Sequence, residues 1–468
     1  MTECTERSFD FQPLERREII ARFDAPAITS DAGGLLLREL ESKFGIVEAF
    51  SQCFQDFRDS RYTTHSLSEL LRQRIFGIAL GYEDLNDHDQ LRHDPLMAVL
   101  AGKREPEPHE GFALAGKSTL NRLELTTTRA TRYKKIVANH RDLEDFFVDT
   151  FLRIESYREI PKRIVLDLDA TDDPLHGHQL GRFFHGYYKC YCYLPLYIFC
   201  GSHLLCAKLR PSNIDAAAGS VKQLERIVTQ IRKQWPEVQI VIRGDSGFCR
   251  ENIMRWCESN NVDYVLGLAK NARLRRALGK QLHEAQLQFE ATGSASRVYR
   301  DFDYRTKKSW SCSRRVIGKA EHLAKGANPR FVVTSLCRDD YDAATLYEKE
   351  YCARGDMENR IKEQQLYLFA DRTSASTMRA NQLRLWLSSV AYVLINALRE
   401  LGLEGTQLER AQCNTIRLKL FKIGAAIRIT VRKVWVSLSS STPYRTLFTQ
   451  VFDNLRSLPP APPPLDSA

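Results

Sequence analysis

Ile164-Val-Leu-Asp167-Leu-Asp169-Ala-Thr171 is the stretch on which the fold turns. Its residues alternate with the period of a strand. Ile164, Leu166 and Leu168 take one face, and Val165, Asp167, Asp169 and Thr171 take the other. Both Asp167 and Asp169 are therefore candidates for a site at the strand's end. Asp169 is preferred because it lies nearer that end and is followed by Ala-Thr. A carboxylate at a strand end often does no more than make a turn, so further carboxylates must reach the same place.

Downstream, β-rich runs cover Tyr187 to Cys200 and His203 to Leu209, and a helix is expected from Asp215 to Gln234. Val238-Gln-Ile-Val-Ile-Arg243-Gly244-Asp245 is a short apolar strand ending in Gly-Asp. A helix from Arg250 to Ser259 leads into the strand Asp263-Tyr-Val-Leu-Gly-Leu-Ala. The order β, β, β, α, β, α, β describes an α/β, ribonuclease-H-like core of the retroviral-integrase type. Asp245 ends the fourth strand, which this fold sets beside the first.

A third carboxylate comes from Tyr351-Cys-Ala-Arg354-Gly-Asp-Met-Glu358-Asn-Arg-Ile-Lys362-Glu363-Gln364-Gln365. From Leu346 onward the residues are good helix formers. On a 3.6-residue period Tyr351, Arg354 and Glu358 share a face. Asp169, Asp245 and Glu358 converging would repel one another without a cation, and hard oxygen ligands favour Mg²⁺ or Mn²⁺. Two such ions on shared carboxylates support in-line phosphoryl transfer with no side-chain nucleophile.

The remaining chain sets bounds. At 468 residues with 43% hydrophobic and 10% aromatic content, it is long enough for several cored domains. Its 68 Lys and Arg against 58 Asp and Glu leave a net charge of +10, which suits a polyanionic partner. No apolar run approaches the roughly 18 residues of a membrane span, and the N-terminus has no apolar signal region. A soluble cytoplasmic protein is expected. The 12 cysteines contain no CxxC pair, so a zinc ribbon or finger is not indicated.

Before the core, residues 1 to 155 read as mostly helical. Ser66-x-x-Glu69 is a capping box with Gly81 as C-cap. Asn86 opens a second helix through DHDQLRHDPLMAVLAG, and a basic helical run starts at Arg129. Gly111-Phe-Ala-Leu-Ala-Gly116-Lys117-Ser118 matches the phosphate-loop pattern, but no strand delivers it. It reads as the loop opening a helix at Ser118. Residues 271 to 339 open with the basic helix ARLRRALGKQLHEAQ and continue as strands, forming an insertion ahead of the Glu358 helix. After a long apolar helix, Ala375 to Leu401, the run RLKLFKIGAAIRITVRKVWVSL has helix-like basic and apolar spacing, and the tail is Pro-rich. The expected organisation is a helical DNA-binding region (1–155), the first part of the core (156–270), a β-rich insertion (271–340), the second part with the Glu358 helix (341–405), and a basic helical C-terminal region with the tail (406–468).

These residues resemble a known family. The Asp169-Ala-Thr171 strand, Arg243-Gly-Asp245 and Tyr351-x2-Arg354-x3-Glu358 resemble the DDE transposases of bacterial insertion sequences. GYEDLNDHDQLRHDP, LDATDDPLHGHQLGRF and RPSNIDAAAG are similar to insertion-sequence family thirteen-eighty. The resemblance covers roughly residues 15 to 405. It implies Asp169, Asp245 and Glu358 as ligands of two Mg²⁺ or Mn²⁺ ions. It also implies cut-and-paste transposition by a homodimer on double-stranded DNA, at the terminal inverted repeats and the target. Tyr351 and Arg354 would contact the DNA backbone near the cut, with Arg243 and Lys362 beside them. The family signature ends in a DNA-contacting Lys where this chain has Gln365, which the resemblance places at the DNA in its stead. Trp310, in the insertion, would stack a flipped base, as in a related enzyme type. The competing readings are a metal-dependent nuclease or resolvase, a transposase-derived DNA-binding protein, and zinc hydrolysis by His176, His178 and His185.

Overall fold

The computed structural model describes residues 8–107 and 111–460. They fall into two compact units, one built from 8–47, 59–123 and 397–459, the other from 48–58 and 124–396.

In the first unit the capping box forms as expected. Ser66 accepts from the Glu69 amide, the Glu69 carboxylate accepts from the Ser66 amide, and Gly81 closes the helix Leu67–Leu80 in the left-handed region. The helix expected from Asn86 is instead broken. A short helix, His88–Leu91, stops before Pro95, and Asp94 caps a new one at Pro95–Ala101. Pro95 disfavours helical backbone at the residue before it, so the chain restarts there. The run after Arg417 is also corrected. Helix continues only to Phe421, and Ala425–Ile429 then pairs with Val434–Leu438 as an antiparallel hairpin. Its β-branched residues Ile427, Ile429, Val434 and Val436 recur with period 2, and the Thr430 amide bonds the Lys433 carbonyl across the turn. A hairpin of Phe9–Leu14 and Arg17–Ala21 was not anticipated. At Gly111–Ser118 the helix opens at Lys117, and its first amide donates to the Asp89 carboxylate at 3.0 Å. A carboxylate therefore sits where a phosphate loop would hold a phosphate.

The second unit is organised on a nine-stranded mixed sheet. Its path runs from His203–Lys208 through Leu196–Cys200, Arg163–Ala170, Gln239–Gly244, Asp263–Leu268, Arg330–Thr334 and Arg314–Leu323 to Ser296–Tyr304. The strands Arg163–Ala170, Gln239–Gly244 and Asp263–Leu268 are parallel, and the other pairings on the path are antiparallel. The alternation read in the first strand holds. Ile164, Leu166 and Leu168 enter a large core with Leu224, Ile227 and Ile231 of the helix Ser220–Gln234 and with Val148, Phe151 and Leu152 of His140–Glu155. Val165 packs on the opposite side with Val241, Val265, Ile317 and Val332.

One expectation changes here. The basic run from Arg129 is not a helix up to Ala138. Ile136–Ala138 pairs as a strand with Phe54–Asp56, and helix begins only at His140, capped by Asn139. Residues 271–339 hold the basic helix and the strands read for them, and how those strands attach is new. Arg330–Thr334 pairs with Asp263–Leu268, so the later strands extend the central sheet.

Candidate active site

Register brings the first two carboxylates together. Gly244 pairs with Leu168 across parallel strands, so Asp245, one residue on, leaves the sheet level with Asp169. The Asp245 carboxylate accepts the Gly247 amide at 2.8 Å. A Cβ at Gly247 would lie 2.9 Å from that oxygen, which explains a glycine there. Asp169 accepts the Ala170 amide at 3.0 Å. Burial pushes its carboxyl up to about 7, Arg354 opposes the rise, and Asp245 and Glu358 add to it.

Glu358 arrives on the helix Gly355–Leu368. The stretch before it is not regular α-helix. Leu346–Tyr351 forms a wide π turn and Cys352–Arg354 a tight 3₁₀ turn. Such irregular turns re-aim side chains and recur at functional sites. The segment is held to the sheet by Arg163, which donates to the Glu350 carboxylate at 2.7 Å, and by Arg243, which donates to the Glu350 carbonyl. Tyr351 lies over the strand Asp263–Leu268. A Cβ at Gly267 would meet the Tyr351 hydroxyl at 2.6 Å and the Ser246 amide at 2.9 Å, so only glycine leaves room for the phenol beside Asp245. Burial raises the Tyr351 hydroxyl above its ordinary value.

Arg354 occupies the middle of the constellation. One terminal nitrogen donates to Glu358 at 2.6 Å, and the other lies 3.7 Å from Asp169, buried and without a hydrogen-bond partner. Burial opposes its charge, while Asp169, Glu358 and Asp245 hold the guanidinium protonated above its ordinary range. The guanidinium stands in for the cation that three carboxylates require. As the side chains stand, no three His, Cys, Asp or Glu residues among those described are arranged to hold a metal ion. The donor set fits a hard divalent ion in charge and chemistry, and the Arg354 guanidinium balances part of that negative charge.

Other expected residues fall elsewhere. Arg243 does not face outward. It pairs in register with Asp167, Nε to Oδ1 at 2.5 Å and Nη2 to Oδ2 at 2.7 Å, and both side chains are buried. Asp167 is thus engaged by this pair, and Asp169 is the carboxylate of this strand that lies near Arg354. The Arg243–Asp167 bond was legible as a cross-strand pair of opposite charges, once the strands were aligned. Trp310 is 6% exposed and packs edge-on against Tyr304 at 5.7 Å, inside the main core. Lys362 is exposed one turn beyond Glu358.

Gln365 turns inward. Its amide donates to the Asp172 carbonyl at 3.2 Å and the Asp173 carboxyl at 3.1 Å. Asp173 is fully buried, and burial pushes its carboxyl up to about 8, with Asp371 and Asp172 adding to the rise. The sequence reading missed this contact, because Asp173 looks like an ordinary loop residue until the helix covers it. His178 bonds Arg182 and His185 packs on Tyr188, so the histidines do not assemble as a zinc site.

Residues 11–460 match the family model described as Transposase DDE domain group 1, and the chain belongs to that family. It is a DDE transposase with DNA as its substrate class. No curated protein matches it. No helix among the described residues is long and apolar enough to cross a membrane.

Proposed function

We propose that this protein is the cut-and-paste transposase of a bacterial insertion sequence related to family thirteen-eighty. The observation that carries the reading is the meeting of Asp169 and Asp245 on adjacent parallel strands with Glu358, around the single guanidinium of Arg354. The ribonuclease-H-like core supplies two strands and one helix, each contributing one carboxylate. Asp169, Asp245 and Glu358 would hold Mg²⁺ or Mn²⁺, two ions in the active complex. Metal bound there would supply an activated hydroxyl and neutralise the leaving oxygen.

The chain's own residues do the rest. Tyr351 and Arg354 bind the backbone phosphate at the cut and orient it over the carboxylates, with Lys362 one turn further out. A phosphate would draw the Arg354 guanidinium outward, because the charge-assisted contact it makes with Glu358 can be exchanged for one with phosphate oxygens. That movement frees the position for the ion. Two protomers pair the element's terminal repeats, and the freed 3′-OH then attacks target DNA. The 1–155 region and the basic C-terminal region grip the DNA outside the cut.

Asp169→Asn, Asp245→Asn and Glu358→Gln test the reading. Each should abolish cleavage of end-containing DNA while binding of those ends survives. Retained cleavage in any one variant removes that residue from the site. Pre-cut ends offered with target DNA separate transposition from simple nuclease action, since only a transposase joins them.

A further inference from the structure

A second surface of the same unit carries charge that the carboxylate site does not use. The helix Ala272–Ala277 presents Arg273, Arg275 and Arg276 to solvent while Leu274 anchors it in the core. The turn joining Ser296–Tyr304 to Arg314–Leu323 adds exposed Arg305, Lys307 and Lys308. The two elements are locked together. Arg273 donates to the Arg305 carbonyl at 3.2 Å and lies over the Tyr304 ring at 5.1 Å, and Arg305 donates to the Trp310 carbonyl at 3.3 Å. The Thr306 hydroxyl oxygen accepts the Trp310 amide at 2.8 Å, which closes the turn.

Among the described residues no carboxylate pairs with any of these six cations. The acids closest by connectivity are already engaged. Arg314, itself buried, donates to Glu251 at 2.7 Å and Glu258 at 2.6 Å, and Asp303 is held by Arg338 at 2.7 Å. In residues 269–313 the one large apolar side chain on the exposed surface is Leu287, on the following helix. An unneutralised cationic surface without apolar anchors fits a phosphate backbone and does not fit an apolar protein interface. Its position is informative too. The helix Glu251–Ser259 starts six residues after Asp245 (251 − 245), and Glu251 accepts the Ser311 amide at 3.1 Å. The turn is therefore hung on the helix that leaves the carboxylate site.

We propose that this patch is a second backbone contact for duplex DNA, which holds the substrate flank outside the carboxylate site. The proposal rests on the transposase reading above. It is tested on the full chain by fluorescence anisotropy with a random-sequence duplex across a salt series. The variant combines Arg273→Gln, Arg275→Gln, Arg276→Gln, Lys307→Gln and Lys308→Gln. Each lost phosphate contact lowers the slope of log K against log salt by about 0.9, so a slope shallower by about 2 or more is expected, with weaker binding at low salt.

A control with Lys162→Gln, Lys233→Gln and Lys325→Gln should keep the wild-type slope. Lys307→Gln/Lys308→Gln alone changes only a turn, and covers the case in which the larger variant folds poorly; it should lower the slope by about 1 to 2. Unchanged slope and affinity in these variants overturn the proposal. Lost binding of a polyglutamate probe with duplex binding intact also overturns it, and makes the partner an acidic protein segment. Asp245→Asn keeps the patch, so its loss of cleavage reports on the carboxylate site alone.

Discussion

Replacing Arg243 with alanine decides between two roles for that residue. The family signature places it next to Asp245, where it would be read as a DNA contact. The structure instead sets its guanidinium against Asp167 in a two-pronged pair at 2.5 and 2.7 Å, with side chains 10% and 4% exposed. Burial raises the Asp167 carboxyl above its ordinary value, and the bonds from Arg243 pull it back. The pair is therefore a poor source of net stability, because desolvation offsets most of the attraction. Breaking it is costly all the same. Removing one partner of a buried pair costs about 3–5 kcal/mol, since the other is left without compensation. Arg243→Ala also frees the Glu350 carbonyl, and with it one of the ties between the sheet and the turn that precedes Glu358.

Urea denaturation followed by fluorescence should show Arg243→Ala destabilised by about 3–5 kcal/mol. The double variant Asp167→Leu/Arg243→Met should recover most of that loss, because an apolar pair of similar volume removes both charges. A loss of less than about 1 kcal/mol, together with weaker DNA binding, would refute the reasoning. The guanidinium would then face nucleic acid as the signature suggests.

Other outcomes follow from the same geometry. Arg354→Ala removes the cation between Asp169 and Glu358, so DNA-free protein should bind Mn²⁺ about tenfold or more tightly by electron paramagnetic resonance titration; weaker binding would show that the guanidinium assists the ion. Burial pushes the Asp173 carboxyl up to about 8, well above its ordinary value. A raised carboxyl means the folded state holds a proton that the unfolded state has released, so stability falls as pH rises from about 4 to about 8. Asp173→Asn keeps an acceptor for Gln365 and should flatten that slope, gaining up to a few kcal/mol at pH 8; an unchanged slope in pH-dependent melting rejects the buried acid. Trp310→Ala should cost about 3–5 kcal/mol as a core truncation. Normal hairpin formation and cleavage of both strands by a folded Trp310→Ala protein removes any base-stacking role.

The sequence by itself carried the parts of this protein that depend on local periodicity. Alternation in Ile164 to Thr171 gave the strand and its two faces, and Ser66 with Glu69 gave a helix start, because both are written within a few residues. Asp169, Asp245 and Glu358 were legible as strand-end and helix-face carboxylates. The breaks were legible less well. Pro95 cut a helix that the apolar spacing continued, and Ala425 to Leu438 satisfied both helical and strand periods until pairing chose the hairpin.

Only tertiary structure decided which charges meet. Parallel register joined Arg243 to Asp167 and left Asp169 facing Arg354. The π turn before Glu358 set Arg354 between two carboxylates. Helix packing buried Asp173 under Gln365. Each of these contacts spans more than 70 residues of chain, or turns on a helical irregularity, so no local pattern encodes it. The Tyr351-to-Gln365 segment shows both sides. Its face was readable from spacing, but what that face touches was set by the strands it covers.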